Sequence, residues 1–168
     1  MNYLVTGGAG FIGSNIVEEL VNRGEDVRVL DNFSTGKREN LTPFQNKIEL
    51  VEGDIRSSHI VKQAVEGIDI ILHQAALPSV PRSINDPITS NEVNVGGTLN
   101  ILEAGRDANV QRVVFASSSS IYGDSEELPK REDMTPEPLS PYAVSKLAAE
   151  KYCQVFSLIY GLTPYSPY

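Results

Sequence analysis

Tyr142 and Lys146 lie four residues apart, directly after Pro141, at the start of a stretch with helical spacing. Residues at i and i+4 share one face of a helix. A phenol is a poor base at neutral pH, because its ordinary pKa is about 10. A neighbouring ammonium favours the phenolate and lowers that value. Such a pair can take a proton from a hydroxyl while hydride leaves the same carbon. The Tyr-x-x-x-Lys spacing alone is common by chance. Its weight comes from the run Ser117-Ser118-Ser119-Ser120-Ile121-Tyr122-Gly123, which follows the apolar stretch Val113-Val114-Phe115-Ala116. Hydroxyls at the end of a parallel strand stand where ligands of open sheets bind. They could bridge a substrate oxygen and the tyrosine.

Hydride needs an acceptor, and the other end of the chain offers a place for one. Tyr3–Thr6 reads as a strand and runs into Gly7-Gly8-Ala9-Gly10-Phe11-Ile12-Gly13. Gly8, Gly10 and Gly13 satisfy Gly-x-Gly-x-x-Gly, and Gly7, Gly10 and Gly13 satisfy the variant with a wider first gap. Glycine there permits a tight turn, close approach of backbone to a pyrophosphate, and close helix–strand packing. The following helix start offers free N–H groups and a positive dipole end to phosphates. Glycines alone would fit any tight turn, but here the required strand precedes them and the required helix follows. Asp31 ends the second strand, 18 residues after Gly13. A carboxylate there accepts from ribose hydroxyls and repels a 2′-phosphate. No Arg occurs in Asn32-Phe33-Ser34-Thr35-Gly36. The cofactor expected is NAD rather than NADP, and its oxidised nicotinamide would add positive charge beside Tyr142.

Those residues require a scaffold, and the periodicity supplies one. Apolar runs at Val27–Leu30, Ile48–Val51, Ile68–His73 and Val113–Ser117 read as further strands. Helical spacing follows Ile12, continues from Ser57 and Ser58 to about Val65, spans Val93–Ala108, and runs from Pro141 to about Tyr160. Alternation of this kind predicts an α/β fold, a doubly wound parallel sheet of Rossmann type with helices on both faces. The Pro-rich stretch Asp124–Ser140 reads as a long loop. A chain of 168 residues suits one domain. Its net charge of -8 argues against non-specific nucleic-acid binding. No run is apolar and long enough for a membrane span or signal peptide, so no membrane partner and a cytoplasmic location are expected. Cys153 is the sole cysteine, which excludes an internal disulfide. No metal site is expected.

From Tyr3 to about Leu162 the chain resembles the extended short-chain dehydrogenase/reductase family, in its nucleotide-sugar epimerase/dehydratase branch. The motifs carrying the likeness are Thr6–Gly13, Asp31–Gly36, Asp54-Ile55, His73-Gln74-Ala75-Ala76, Asn94-Val95-Gly96-Gly97-Thr98, Ser117–Gly123 and Tyr142–Lys146. The resemblance implies that Phe11 and Ile12 line a pyrophosphate, with Asn32, Ser34, Thr35 and Gly36 around the adenosine. It places Asp54 and Ile55 at the adenine, and Gln74, Ala75, Ala76 and Leu77 along the ribose side. Asn94 would lie near the cofactor or support the serine strand, and Ser117 would border the cofactor. Ser118, four residues before Tyr122, matches the catalytic hydroxyl. Ser79 and Ser119 match sugar or diphosphate contacts. Tyr142 would be the base, and Lys146 its partner and a ligand of the nicotinamide ribose. His73 is expected to order a strand end rather than carry protons.

The serine run also separates reactions. Dehydratases of this branch place carboxylates directly after the catalytic hydroxyl, where this chain has Ser119 and Ser120. Residues 138–146 and 78–86 look most similar to UDP-hexose and UDP-N-acetylhexosamine 4-epimerases. The resemblance therefore implies NAD-dependent inversion at C4 of a nucleotide sugar by a homodimer. The alternatives are a non-catalytic NAD-binding fragment, and a dehydratase or reductase acting on another sugar. After Leu162 the family continues into a sixth strand ending in Tyr-Phe-Asn, whereas this chain reads Thr163-Pro164-Tyr165-Ser166-Pro167-Tyr168. The expectation is an incomplete NAD-binding domain over 1–162, a divergent tail over 163–168 that forms no interior strand, and no substrate domain. Asp31 yields a direct test. Calorimetric titration is expected to show tighter binding of NAD than of NADP, and Asp31→Ala to narrow the gap; equal or tighter NADP binding by the unaltered chain contradicts the assignment.

Overall fold

Leu4 and Val5 are both sealed from solvent, yet they belong to different apolar clusters. Successive strand side chains point to opposite faces. The first strand, β1 (Asn2–Thr6), is therefore covered on both sides, as a central parallel strand is. Val29 and Leu30 divide in the same way on β2 (Asp26–Asp31). The computed structural model describes residues 1–125 and 128–165. Glu126 and Glu127 of the long loop, and residues 166–168 of the tail, lie outside the described residues.

The remaining strands are β3 (Ile48–Glu52), β4 (Ile70–His73), β5 (Arg112–Phe115) and β6 (Thr163–Tyr165). Every pairing is parallel, in the order β3-β2-β1-β4-β5-β6. Tyr3 stands between Val27 and Ile70, and Thr6 between Leu30 and His73. The chain winds outward from β1 to β3, then crosses back to β4. The strand order thus reverses between β1 and β4, the place where open α/β sheets bind ligands.

Helix α1 (Phe11–Asn22) packs Val17 and Leu20 on one face, against Val5, Val27 and Val29. Helices α2 (Ser58–Val65), α5 (Thr98–Asp107) and α6 (Pro141–Tyr160) cover the other face, with Val61, Ile101, Leu102 and Ala149 against Leu4, Leu30, Ile71 and Val113. The doubly wound sheet read from the periodicity is the observed one. Helix α6 has local start and stop chemistry. The Ser140 hydroxyl accepts from the Ala143 N–H, Pro141 occupies the first turn, and Gly161 at φ +68° closes the helix.

Three features depart from the sequence reading. The single helix expected over Val93–Ala108 is a π turn, Glu92–Gly97, leading into α5. Within it Gly97 packs against Ile55, where a Cβ would lie 2.4 Å from Ile55 Cδ1. Two short helices, α3 (Val80–Asn85) and α4 (Pro87–Asn91), occupy a stretch read without regular structure. Both have a capping residue and a nearby proline: Ser79 caps α3, and Asp86 caps α4 through the Thr89 N–H. Finally, the stretch read as a divergent tail contains β6, paired to β5 with Pro164 opposite Val113. Proline is excluded from interior strands, but β6 is an edge strand here and bonds on one side only.

The tightest contact in this frame is at Gly13. A Cβ there would stand 2.2 Å from the Gly7 carbonyl oxygen and 2.8 Å from Gly8 Cα, both backbone atoms. At Gly96 it would meet nothing within 4 Å. Urea unfolding is expected to show Gly13→Ala destabilised by about 1–3 kcal/mol. Gly96→Ala should be neutral, or stabilised by up to about 1 kcal/mol. Equal midpoints for the two variants would contradict the packing described.

Candidate active site

The carboxyl ends of β1 to β5 converge on one cavity of about 640 Å³. Gly7 follows β1, Asp31 ends β2, Gly53 follows β3, Gln74 follows β4, and Ala116 and Ser117 follow β5. The glycine turn forms the floor. Gly7 has φ +69°, and a Cβ on it would lie 2.8 Å from the Ala75 backbone, so only glycine fits. Gly10 is the N-cap of α1 and lends no side-chain oxygen to the first turn. The N–H groups of Phe11, Ile12 and Gly13 therefore have no partner within the helix. No acidic residue occupies that turn. Phe11 and Ile12 remain 84% and 62% exposed at the cavity, an apolar, positively polarised rim suited to a diphosphate.

Asp31 is buried, and its carboxylate has a structural task as well. Oδ2 accepts from the Ala9 N–H at 2.9 Å and Oδ1 from the Phe33 N–H at 2.8 Å. These bonds tie the glycine turn to the end of β2. Each oxygen keeps a second lone pair for a ribose hydroxyl. Asn32 bridges outward: its Oδ1 accepts from the Ser34 N–H, and its Nδ2 donates to Asp54 at 2.9 Å. Arg56 grips Asp54 through Nε and a terminal nitrogen at 3.0 and 2.8 Å, and holds that carboxyl down to about 2. Ser34, Thr35, Gly36, Ile55, Ala76 and Leu77 complete this half of the wall.

At the β5 end the wall changes character. Lys146 is 4% exposed and its ammonium lies 4.3 Å from the centre of the Phe115 ring. Among the described residues it has no hydrogen bond or ion pair. Burial lowers its pKa to about 8, while Cys153 and Glu150 act in the opposite sense. An almost fully buried cation with empty donors, lining a cavity, fits a polyhydroxylated ligand. Tyr142 is held one turn earlier: its backbone N–H donates to Ser83 Oγ at 3.0 Å, and its carbonyl accepts from Ser145 Oγ at 2.7 Å. Ser117 also lines the cavity, and its hydroxyl donates to Glu150 Oε2 at 2.5 Å.

Other candidates stand behind or beside the lining. Asn94 is buried and faces inward, accepting from the Leu77 N–H at 2.8 Å and donating to the Leu77 carbonyl and to Ser145 Oγ. It supports the wall rather than forming it. Ser118 caps a 3-10 turn through the Ser120 N–H, and Ser119 is exposed within that turn. Ser79 is exposed at φ +95°. None of these three borders the cavity. The lining also includes Gly53, Arg56, Pro78, Thr89, Val93 and Ala116, which the motifs do not single out. Gly53 and Ala116 could be found from the strand-end rule, and Arg56 from its place two residues after Asp54. Thr89 and Val93 sit on α4 and the π turn, elements without a clear periodic signal.

His73 is sealed between β1 and α5. The Thr98 hydroxyl donates to the Asn94 carbonyl at 2.7 Å, so at 3.0 Å it must accept from His73 Nε2. Thr6 Oγ1 accepts from the Ala75 N–H, leaving its proton for His73 Nδ1 at 2.6 Å. Every group is satisfied with a neutral, Nε2-protonated imidazole. Burial, helped by the Lys146 charge, depresses this histidine to about 3.

Fold and site together define a Rossmann-type dinucleotide-binding domain with Tyr142 and Lys146 at the β5 end of its cavity. Residues 3–166 match the NAD dependent epimerase/dehydratase family, and the chain belongs to that family. The UDP-glucose 4-epimerase of Mycolicibacterium smegmatis is 43% identical over 166 residues, covering 96% of this chain and 53% of that protein. The structure of the Thermus thermophilus UDP-glucose 4-epimerase complex with NAD superposes with TM-score 0.92 at 46% identity, covering 99% of this chain and 54% of its own. The dTDP-glucose 4,6-dehydratase of Streptomyces venezuelae, solved with NAD, has TM-score 0.94 at 37% identity, with coverage of 99% and 54%. The chain thus spans about half the length of the relatives it matches. Among the described residues, no helix is long and apolar enough to cross a membrane.

The neutral His73 has a consequence for stability. Its folded pKa of about 3 lies below the ordinary 6.5. The unfolded chain therefore binds the extra proton first, and stability is lost as pH falls from 6.5 towards 3. The loss should approach about 1.4 kcal/mol per pH unit within that window. Urea midpoints between pH 7 and 4.5 are expected to fall for the natural chain and to flatten in His73→Gln. A parallel slope in both proteins would assign the effect to other groups.

Proposed function

We propose that this chain is the NAD-binding part of a UDP-hexose 4-epimerase, inverting C4 of UDP-glucose and UDP-galactose or their N-acetyl forms. The observation that carries this reading is the buried Lys146 ammonium, without a hydrogen bond or ion pair among the described residues, one helical turn from Tyr142 and in a stretch of wall without a carboxylate. The carboxylates that line the cavity, among the described residues, are Asp31 and Asp54. Both belong to the opposite half and are engaged by Ala9, Phe33, Asn32 and Arg56. The names of the M. smegmatis and T. thermophilus relatives support the same assignment.

The residues fit NAD. The Phe11–Gly13 N–H groups would hold the pyrophosphate, Asp31 the adenosine ribose, and Lys146 the nicotinamide ribose. Bound NAD would supply the hydride acceptor for the sugar carbon. Tyr142 would take the proton from the C4 hydroxyl, and the Lys146 ammonium would stabilise the negative charge that passes to the phenol oxygen. Ser118 would need only to orient the sugar oxygen. Phe115 and the apolar rim would keep water from the reacting atoms. The reading includes a cytoplasmic homodimer, supported by Val155, Leu158 and Ile159, which lie exposed on α6.

The dehydratase likeness favours a second reading, and chemistry separates the two. Loss of water across C5 and C6 needs a group to take the C5 proton and one to protonate the leaving hydroxyl. Serine hydroxyls at 119 and 120 are too weak for either role unaided. In the enzyme that carries this chain, UDP-glucose is expected to give UDP-galactose with no 4-keto-6-deoxy sugar. Tyr142→Phe should lower kcat by about 10²–10⁴. A 4-keto-6-deoxy product would establish the dehydratase reading, and unaltered turnover by the variant would place the base elsewhere.

A further inference from the structure

Glu150 is a buried carboxylate that the proposed chemistry does not use. It lies one turn beyond Lys146 and two beyond Tyr142 on α6, and is 8% exposed. Among the described residues it has no ion-pair partner within salt-bridge distance. Its oxygens instead accept from the Ser117 hydroxyl at 2.5 Å and from Gln154 Nε2 at 3.3 Å. A carboxylate in such a place is costly unless its charge is compensated. Packing would be met as well by an uncharged side chain.

The compensation is at hand. Lys146, four residues earlier on the same helix face, is a buried cation without a hydrogen-bonding partner among the described residues. Resting on the reading of Tyr142 and Lys146 given above, we propose that Glu150 is a positioning residue, the counter-charge that keeps Lys146 an ammonium, held in place by the Ser117 hydroxyl at the cavity wall.

Other groups near Lys146 do not supply that charge. Cys153, on the same helix, is the other candidate anion, but burial pushes its thiol up to about 12. It is a neutral thiol at the pH where Lys146 titrates, near 8. His73 on β4 is neutral there as well. Of the charged residues of α3, the π turn and α5, Arg82, Glu92, Glu103 and Asp107 are open to solvent and screened, and the half-buried Arg106 is a cation paired with Asp107. Asp31 and Asp54 stand at the opposite end of the cavity with partners of their own, whereas Glu150 is a buried carboxylate on the same helix face as the amine. Its link to Ser117 couples that charge to the end of β5, so helix, strand and cation form one electrostatic unit.

The test is a pH titration of Lys146 in the cofactor-free chain, followed by NMR of ¹⁵N- and ¹³C-labelled lysine and assigned with Lys146→Arg. The natural chain should titrate near 8. In Glu150→Gln, which keeps the shape and an acceptor for Ser117, the midpoint should fall by about half a pH unit or more. Glu150→Met provides a second neutral variant if the first does not fold, with the same fall expected. Glu150→Asp retains the charge and should hold the midpoint above that of the neutral variants. A midpoint unmoved in a folded neutral variant overturns the proposal. Calorimetry with NAD on the natural chain separates this from the functional reading: absence of binding would sink the proposed function, while the lysine titration would still decide the role of Glu150.

Discussion

A continuous chain of buried hydrogen bonds joins the two halves of the site. It runs from the Ala75 N–H to Thr6, from Thr6 to His73, and from His73 to Thr98 and the Asn94 carbonyl. The Asn94 side chain then takes the Leu77 backbone on one side and Ser145 of α6 on the other. The strand that carries the glycine turn is thereby connected to the helix that carries Tyr142 and Lys146. Each member is buried or half-buried, so a broken link would leave an unsatisfied polar group worth about 1–3 kcal/mol. A network this complete fixes the relative position of two elements that are distant in sequence. It also engages both ring nitrogens of the buried His73.

The cavity is polarised by what backs its walls. At the β2 and β3 ends, carboxylates face it: Asp31 accepts from backbone N–H groups, and Arg56 holds Asp54 well below the usual carboxylate range. At the β5 end, the charged group is a desolvated ammonium. Between them lies the apolar, uncapped start of α1, with its unpaired N–H groups. A ligand with hydroxyls at one end, a diphosphate in the middle and a second hydroxylated group at the far end matches this sequence of donors and acceptors. The same polarity works against a 2′-phosphate, which would meet Asp31. Of the cations on that side, Arg56 in the lining is paired with Asp54, and Arg38 is paired with Glu52 and stacked on Phe33.

Much of this is legible in the sequence because the signals are local. The strand–glycine–helix order, Asp31 at a strand end, and the cap, proline and closing glycine of α6 all depend on a few adjacent residues. What stays hidden depends on contacts across the fold. The close approach of Gly97 to Ile55, in the π turn, is a meeting that no window of sequence contains. The motif around Asn94 leaves it near the cofactor or beneath the serine strand, and only its long-range bonds to Leu77 and Ser145 give its place. Pro164 reads as a strand breaker until the sheet order puts β6 at an edge. In the serine run, four identical residues carry no local hint of which hydroxyl faces the cavity. The structure puts Ser117 on the wall and Ser118 at a turn cap.

That division of the serine run bears on how one scaffold serves both epimerases and dehydratases. The dehydratase of S. venezuelae superposes on this chain as closely as the T. thermophilus epimerase does, so the backbone does not choose the reaction. What can vary cheaply is the start of the turn after Ser118, because the Ser118 bond is a local cap and Ser119 is open to the surface, whereas Ile121 and Tyr122 are buried. Carboxylates placed there would disturb no buried network. Ser117 and Glu150 have no such freedom, since they are bonded to each other inside the domain. The run thus divides into a bonded half at Ser117 and an exposed position at Ser119. The turn is thus a point where chemistry can be added without rebuilding the site beneath it.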